Sequence, residues 1–260
     1  MKQLFLIFLL PSVCLLGIEN SYIQINKRNV IYRFVPFDLD TDHFVVNLFP
    51  SWEDDTFEVF DQVKDEEAIA IDLGAWIGTT SIWLSKHFYH VVAVDADQVS
   101  LKCLRQNLAV SECSNVSICE RPISDSSEIV FFGPIGSKLN ESISCLKKEQ
   151  DKSLDYKIQS ITFTQLIQDF VLTNESLKSH KVSFIKCDIE GGEENILEDV
   201  FRFAYYNKAK IYMSFHLDWW KTRKITQFKS LFALFRTNCP EPDVCEYIRK
   251  NPFASVLFGP

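Results

Sequence analysis

The sequence predicts an α/β fold in which a mostly parallel sheet carries helices on both faces and is closed by an antiparallel strand. From residue 68 onward, short apolar runs alternate with amphipathic segments, as is typical of parallel strands joined by crossover helices. A glycine-containing turn follows the first run. The 260 residues are 47% hydrophobic, which is enough apolar content for one domain with a full core.

The apolar runs locate the strands of this sheet. Parallel strands are predicted at residues 68–72, 91–95, 116–119, 182–188 and 210–215. Two later runs, at 244–248 and 254–258, are joined by a short polar segment with a proline and predict a closing antiparallel hairpin. All of these strands belong to a main domain predicted over residues 65–260.

Two further segments are predicted to lie beside the main sheet. Residues 18–64 form an accessory unit, in which β-branched and aromatic residues at 22–25 and 30–35 predict a hairpin. Ser51 is expected to cap a helix whose first turn carries three acidic residues. The periodicity weakens over residues 125–160, which predicts an insertion near the mouth of the site.

Residues 1–17 have the pattern of a signal peptide or membrane leader. Lys2 precedes an apolar run that is shorter than the roughly 20 residues of a membrane-spanning helix. The alternative is an apolar helix packed on the domain. A leader favours the secretory pathway or membrane association over a cytoplasmic location.

The charge of the chain bears on its partners. Its 35 acidic and 27 basic residues give a formal net charge of -8. Because no basic field attracts a polyphosphate, a nucleic-acid partner is not expected, and a small or neutral partner is favoured. The eight cysteines include no C-x-x-C pair, so they predict no zinc or haem site.

The turn after the first strand is the most informative segment. Gly74 permits a positive φ, and Gly78 lets the backbone approach a ligand closely. Three residues separate these glycines, so the G-x-G-x-x-G pattern of a nicotinamide dehydrogenase is absent. Asp72, at the strand end, is instead placed to help hold the ammonium of an amino-acid-bearing nucleoside, directly or through water.

A second carboxylate marks the end of the next strand. Asp95 lies 23 positions beyond Asp72, where an acidic residue accepts hydrogen bonds from both ribose hydroxyls. Glycine turns and aspartates at strand ends are each common in α/β folds that bind no ligand there. Their combination in one register predicts a nucleoside site.

Four motifs within residues 52–216 resemble the FkbM family of S-adenosylmethionine-dependent methyltransferases. They are AIDLGAWIGTTSIWLS, VVAVDAD, RPISD and FIKCDIEGGEENIL. The last contains the family pattern K-x-D-x-E-G-x-E and is the most specific of the four. Asp95 and Ala96 stand where the family usually has Glu-Pro, which keeps the carboxylate but shortens it by one methylene.

The resemblance implies a Rossmann-like class I methyltransferase fold with S-adenosyl-L-methionine as the cofactor. Asp72, Gly74, Gly78 and Asp95 would form the cofactor shell. Asp125 lies near the position that commonly contacts adenine in this fold, while a loop aspartate that binds local backbone donors is an equal alternative. The family suggests O-methylation of a hydroxyl on a sugar, a glycan or a small metabolite.

Three residues are candidates for the base that accepts the hydroxyl proton. Asp188 and Glu190 end the fourth strand, and His216 ends the fifth, where ligand-facing residues of open α/β sheets collect. Alternatively, Glu190 and Glu193 cap the helix that begins near Gly192. A divalent metal on Asp188 and Glu190 lacks an obvious third ligand, so no metal site is predicted.

A function from a different class also fits these features. The chain is compatible with a catalytically silent nucleoside-binding scaffold that keeps the methyltransferase fold. In an enzyme, replacing Asp188 or Glu190 by Ala should abolish turnover while cofactor binding persists. A scaffold would show no cofactor-dependent methyl transfer at all.

Overall fold

The fold is built around one large sheet. The computed structural model describes residues 22–134, 144–147, 150, 155–220, 222 and 224–260. The strands are β1 (Ile23–Lys27), β2 (Val30–Phe34), β3 (Asp65–Leu73), β4 (Phe88–Val94), β5 (Val116–Cys119), β6 (Ile123–Ser124), β7 (Ile129–Pro134), β8 (Ser144–Lys147), β9 (Tyr156–Gln159), β10 (Ile161–Thr162), β11 (Val182–Cys187), β12 (Lys210–Ser214), β13 (Arg236–Thr237) and β14 (Ser255–Gly259). The large sheet has the order β13-β14-β12-β11-β3-β4-β5.

This sheet is mostly parallel, as predicted. β12, β11, β3, β4 and β5 run parallel, whereas β14 pairs antiparallel with β12. Numbered in chain order within the sheet alone, the strands lie in the order 3-2-1-4-5-7-6. This is the Rossmann-like arrangement of class I methyltransferases, so the predicted fold class is confirmed. The five predicted parallel strands all lie at their expected places.

Helices cover both faces of the sheet. They are α1 (Leu39–His43), α2 (Asp54–Phe60), α3 (Thr79–Ser85), α4 (Gln98–Val110), α5 (Phe163–Ile167), α6 (Glu193–Asn207), α7 (Lys229–Phe232) and α8 (Val244–Lys250). Alternate residues of β3 enter two cores: Ile69 and Ile71 pack on the face of α5 and α6, and Ala70 packs on the face of α3 and α4. Such two-sided burial explains why the strands are continuously apolar.

The predicted closing hairpin is wrong in one of its strands. Residues 244–248 lie in helix α8, because the Asp243 side chain accepts a hydrogen bond from the Glu246 amide and begins the helix. Cys245 and Ile248, three positions apart, then bury one face of that helix in the core. The closing antiparallel strand itself is present as β14, which pairs with β12 and with the short β13.

The N-terminal segment packs directly on the main domain. β1 and β2 form the predicted hairpin, joined by Arg28 and Asn29, whose positive φ angles suit a tight two-residue turn. The cap predicted at Ser51 is wrong. Pro50 sets a short 3₁₀ turn, Phe49–Ser51, and the chain makes a left-handed bend at Glu53 before α2 begins.

The insertion forms a small antiparallel sheet beside the main one. β7 lies between β8 and β9, and Phe132 of β7 faces the cavity described below. The Tyr156 hydroxyl donates to the carbonyl of Ala96, directly after β4. This bond holds the insertion against the carboxyl end of the main sheet.

The predicted leader, residues 1–17, lies outside the described residues. Within the described part of the chain, none of the helices combines the length and the apolar character of a membrane span.

Phe60 tests whether the N-terminal segment is integral to the domain. Its buried ring contacts Trp83, Phe184 and Tyr212, at centroid distances of 5.5, 5.4 and 5.5 Å. We expect Phe60→Ala to lower the free energy of unfolding by about 3–5 kcal/mol, in one cooperative transition in urea. The exposed Tyr206→Ala is the control, with a change within about 0.5 kcal/mol. A small effect at Phe60 would mean that the segment is separately folded.

Candidate functional site

A cavity of about 410 Å³ lies at the carboxyl ends of β3, β4, β11 and β12. This is where the strand order reverses between β3 and β11, the place where open α/β sheets bind ligands. Its wall includes predicted site residues from three strand ends: Asp95 after β4, Asp188 and Glu190 after β11, and His216 after β12.

The turn after β3 allows the two central strands to approach each other. Gly74 has a φ of 82°, and a Cβ added there would lie 1.8 Å from the carbonyl oxygen of Asp188. The amides of Gly74 and Ala75 both donate to the carbonyl of Val94. Gly78, with a φ of 96°, precedes α3. Only glycine at position 74 permits this packing.

Asp72 lies beneath the turn and not on the cavity wall. Its fully buried carboxylate accepts hydrogen bonds from the hydroxyls of Thr80 and Ser81, at 2.7 and 2.6 Å. The other carboxylate oxygen is 3.3 Å from the ammonium of Lys186. The structure therefore makes Asp72 a support for the turn and for Lys186. Direct contact with a ligand is not part of this arrangement.

Asp95 presents its carboxylate to the cavity. One oxygen accepts the Trp76 amide at 2.7 Å, and the other accepts the amides of Ala96 and Asp97 at 2.8 and 2.9 Å. Burial raises the pKa of Asp95 to about 6, although these three amides oppose that shift. A carboxylate has about four acceptor sites, so capacity remains for a further donor from a ligand.

Asp125 is not brought into the cavity. Its side chain is exposed and accepts hydrogen bonds from the hydroxyls of Ser124 and Ser126. The wall here is formed by residues just before it, Arg121 to Ile123. The structure thus shows Asp125 bonded to its neighbours in the loop, and its contact with adenine stays a prediction.

The other end of the cavity gathers the three candidate catalytic residues. Nε2 of His216 is 3.5 Å from Oδ1 of Asp188 and 3.3 Å from Oε2 of Glu190. All three side chains are mostly buried, with 12 to 23% of their surface exposed. The structure therefore brings together the residues that the sequence placed on two separate strands.

Glu193 holds this cluster from behind. Oε1 of its fully buried carboxylate accepts the amides of Ile189 and Gly191 and Nδ1 of His216, the last at 2.9 Å. Oε2 accepts the indole N–H of Trp220. The alternative that Glu190 and Glu193 cap α6 is wrong for their side chains, because the N-cap residue Gly192 has no side-chain cap bond. Glu193 binds amides of the loop before the helix, and Glu190 faces the cavity.

The charged groups of this cluster shift one another's pKa values. Burial alone would lower the pKa of His216, but the hydrogen bond and charge of Glu193, with Asp188 and Glu190, raise it to about 9. Burial raises the pKa of Glu190 to about 7, against the opposing effect of His216. At neutral pH the imidazole is thus charged and Glu190 is partly protonated.

Several wall residues were not assigned from the sequence. Glu53 reaches the cavity from the N-terminal segment, and burial together with the charge of Asp188 raises its pKa to about 7. Phe44 packs against Trp52 and Trp76, with ring centroids 5.5 and 5.0 Å apart, and forms an aromatic wall. The left-handed bend at Glu53 brings in this segment, and no local sequence signal indicates it.

Comparison with solved structures finds distant likenesses among methyltransferases. The chain is similar to an FkbM methyltransferase from Methylobacillus flagellatus, with 15% identity and a TM-score of 0.46, over 75% of this chain and 44% of that one. It is similar to an rRNA methylase from Streptococcus thermophilus, with 10% identity and a TM-score of 0.45, over 78% and 93%. A putative methyltransferase from Streptococcus mutans, in complex with SAH, has 14% identity and a TM-score of 0.45, over 79% and 96%.

The chain therefore spans less than half the length of the FkbM structure. No family model matches the sequence, and no curated protein matches it significantly.

Gly74 provides a test of the close approach between β3 and β11. In Gly74→Ala, the left-handed backbone alone costs roughly 1–2 kcal/mol, and the new Cβ displaces the carbonyl of Asp188 as well. We expect a clear fall in the thermal midpoint. Gly259→Ala is the matched control, because a Cβ there meets nothing within 4 Å. Equal midpoints for the two variants would contradict the packing described here.

Proposed function

We propose that the chain is an S-adenosylmethionine-dependent methyltransferase of the FkbM type that methylates a hydroxyl of a sugar, a glycan or a small metabolite. One observation carries this proposal: a single cavity joins the carboxylate of Asp95 to the cluster of Asp188, Glu190 and His216. β4 and β12 are three strand spacings apart, about 14 Å, which leaves room for a nucleoside and its amino-acid arm between the two ends.

The residues present fit this cofactor. Asp95 has remaining acceptor capacity for a ribose hydroxyl, and the cavity volume lies within the range of small-molecule sites. The carboxylates of Asp188 and Glu190 provide negative charge at the end where the positive sulfur would lie. The FkbM-like motifs include both strand ends, which supports the same assignment.

The cofactor would supply a methyl group on a positively charged sulfur, and the chain would align the acceptor hydroxyl and accept its proton. Oxygens of Asp188 and Glu190 and Nε2 of His216 converge on the acceptor end, so a hydroxyl placed there meets several polar partners. Positioned proton transfer of this kind contributes typically about 10²- to 10⁴-fold to a rate. Alignment of the hydroxyl contributes as well.

The walls of the acceptor end favour a polyol with an apolar face. Phe253, in the segment before β14, supplies aromatic surface beside the His216 ring at a centroid distance of 6.0 Å, and Phe44 and Trp52 line the cavity from the N-terminal segment. Glu53 adds a polar group beside them. Aromatic surface beside carboxylates suits a sugar ring, whereas the acidic character of this end disfavours a nucleic acid.

Calorimetric titration of the full chain with S-adenosylmethionine and its demethylated product tests the nucleoside site. We expect saturable binding that Asp95→Ala weakens about 10- to 100-fold, from the roughly 1.5–3 kcal/mol of a hydrogen bond to a charged group. Because Asp95 loses its charge as the pH falls through about 6, affinity should also fall between pH 7.5 and 5.5 in the wild type. In Asp95→Ala this dependence should shrink to the part that comes from Glu53 and Glu190, whose pKa values are about 7.

Asp199→Ala, an exposed carboxylate on α6, is the control for the loss of charge and should bind like the wild type. Absence of binding by the folded wild-type chain would sink the proposal. Asp125→Ala, measured alongside, reports whether the predicted adenine contact exists.

Transfer of a labelled methyl group separates an enzyme from the silent scaffold. With sugar, glycan and small-metabolite hydroxyls as acceptors, we expect product from the wild type and at least a tenfold loss with Glu190→Gln or Asp188→Asn. Cofactor binding by these variants should change far less than turnover. Binding without transfer to any acceptor would instead favour the scaffold.

A further inference from the structure

The cluster at the acceptor end contains a third metal ligand that the sequence did not reveal. Asp188, Glu190 and His216 each offer one ligand atom, and these atoms lie within 4.8 Å of one another. Two come from the loop after β11, and the third comes from the end of β12. Neighbouring strands, not neighbouring residues, therefore assemble the set.

The orientation of His216 is fixed by its other nitrogen. The Glu193 carboxylate can only accept a hydrogen bond, so Nδ1 of His216 carries the proton in their 2.9 Å contact. Nε2 then faces the oxygens of Asp188 and Glu190. A buried carboxylate behind a histidine is the arrangement that orients imidazole ligands in metal sites.

The contacts on the cavity side are poor hydrogen bonds. Oε2 of Glu190 is buried and has no hydrogen-bond partner, although Nε2 of His216 lies 3.3 Å away. Nε2 and Oδ1 of Asp188 are 3.5 Å apart. Ligands at right angles around an ion with bonds of about 2.1 Å are about 3 Å apart, so small side-chain rotations would complete such a set.

The nearby positive charge is already engaged. The ammonium of Lys186 bonds the carbonyl of Gly74 at 2.7 Å and lies 3.3 Å from Asp72, but it is 3.8 Å from Asp188. The cation that faces Asp188 and Glu190 is instead the imidazole of His216, and a metal ion would replace the proton on its Nε2 while binding the same three atoms.

We propose that Asp188, Glu190 and His216 bind a divalent first-row metal ion, with its remaining coordination positions open to the cavity. Two carboxylates and one imidazole suit Mn²⁺ better than Ca²⁺ or Mg²⁺, which take oxygen ligands. The inference rests on the proposed function for its role: the ion would hold the acceptor oxygen and lower the pKa of the hydroxyl to be methylated, whose proton would pass to a carboxylate oxygen that does not bind the ion. An acceptor with two adjacent hydroxyls could bind through both.

Electron paramagnetic resonance of Mn²⁺ tests the site without any acceptor. The full chain is stripped with a chelator, dialysed and titrated with Mn²⁺, and loss of the free-ion signal measures binding. We expect one Mn²⁺ per chain, and at least a tenfold weaker affinity in Glu190→Gln and His216→Gln. Asp199→Asn, the exposed carboxylate on α6, is the matched control and should bind as the wild type does. Thermal midpoints verify that each variant is folded.

The outcomes separate this inference from the proposed function. Mn²⁺ binding that both cluster variants lose and the control keeps supports the site. An unchanged free-ion signal, or binding equal in all variants, overturns it and leaves His216 as a protonated partner of two carboxylates. The same stripped samples are also titrated with S-adenosylmethionine. If S-adenosylmethionine binds and Mn²⁺ does not, only the metal site is wrong. If Mn²⁺ binds and S-adenosylmethionine does not, only the proposed nucleoside site is wrong.

Discussion

The cavity depends on the contacts that the buried ammonium of Lys186 makes. It bonds the carbonyl of Gly74 and pairs with Asp72, so it ties the carboxyl ends of β3 and β11 together. Burial alone would lower the pKa of Lys186, but Asp72, Asp188 and Glu53 raise it above its ordinary value, and the group stays charged. A charge so deeply buried is stable only with such partners. The missing side chain at Gly74 then allows the carbonyl of Asp188 to pack directly against the turn.

From this junction the two ends of the cavity are built in different ways. The end at Asp95 uses the backbone of the core, because the turn that Lys186 holds also places the Trp76 amide on Asp95. The end at His216 uses side chains from the start of α6 and the end of β12, fixed by buried Glu193. Its outer wall comes from the N-terminal segment, through Phe44 and Trp52.

The sequence predicts those features of the structure that a local pattern of residues determines. Apolar runs buried on both faces located the five parallel strands, and the glycine turn and Asp95 followed from their positions at strand ends. The strand prediction for residues 244–248 is wrong because a short apolar run fits a strand or a helix equally well. The hydrogen bond of Asp243 and the packing of α8 favour the helix. The metal triad was missed because His216 meets Asp188 and Glu190 only through the parallel pairing of β11 and β12. Glu53 likewise depends on a bend that no motif marks.

The electrostatics of the cavity select the charge of its ligand. Burial, together with the charge of Asp188, raises the pKa of Glu53 and of Glu190 to about 7. Their raised pKa values mean that ionisation of these two carboxyl groups is already unfavourable. A pyrophosphate placed beside them would repel the ionised carboxylates and make it more so. A sulfonium or a divalent ion would do the reverse, because each stabilises the ionised carboxylates and lowers their pKa. Carboxylates outnumber the two cations beside them, Lys186 and His216, so this end of the cavity disfavours a pyrophosphate, in agreement with the glycine spacing.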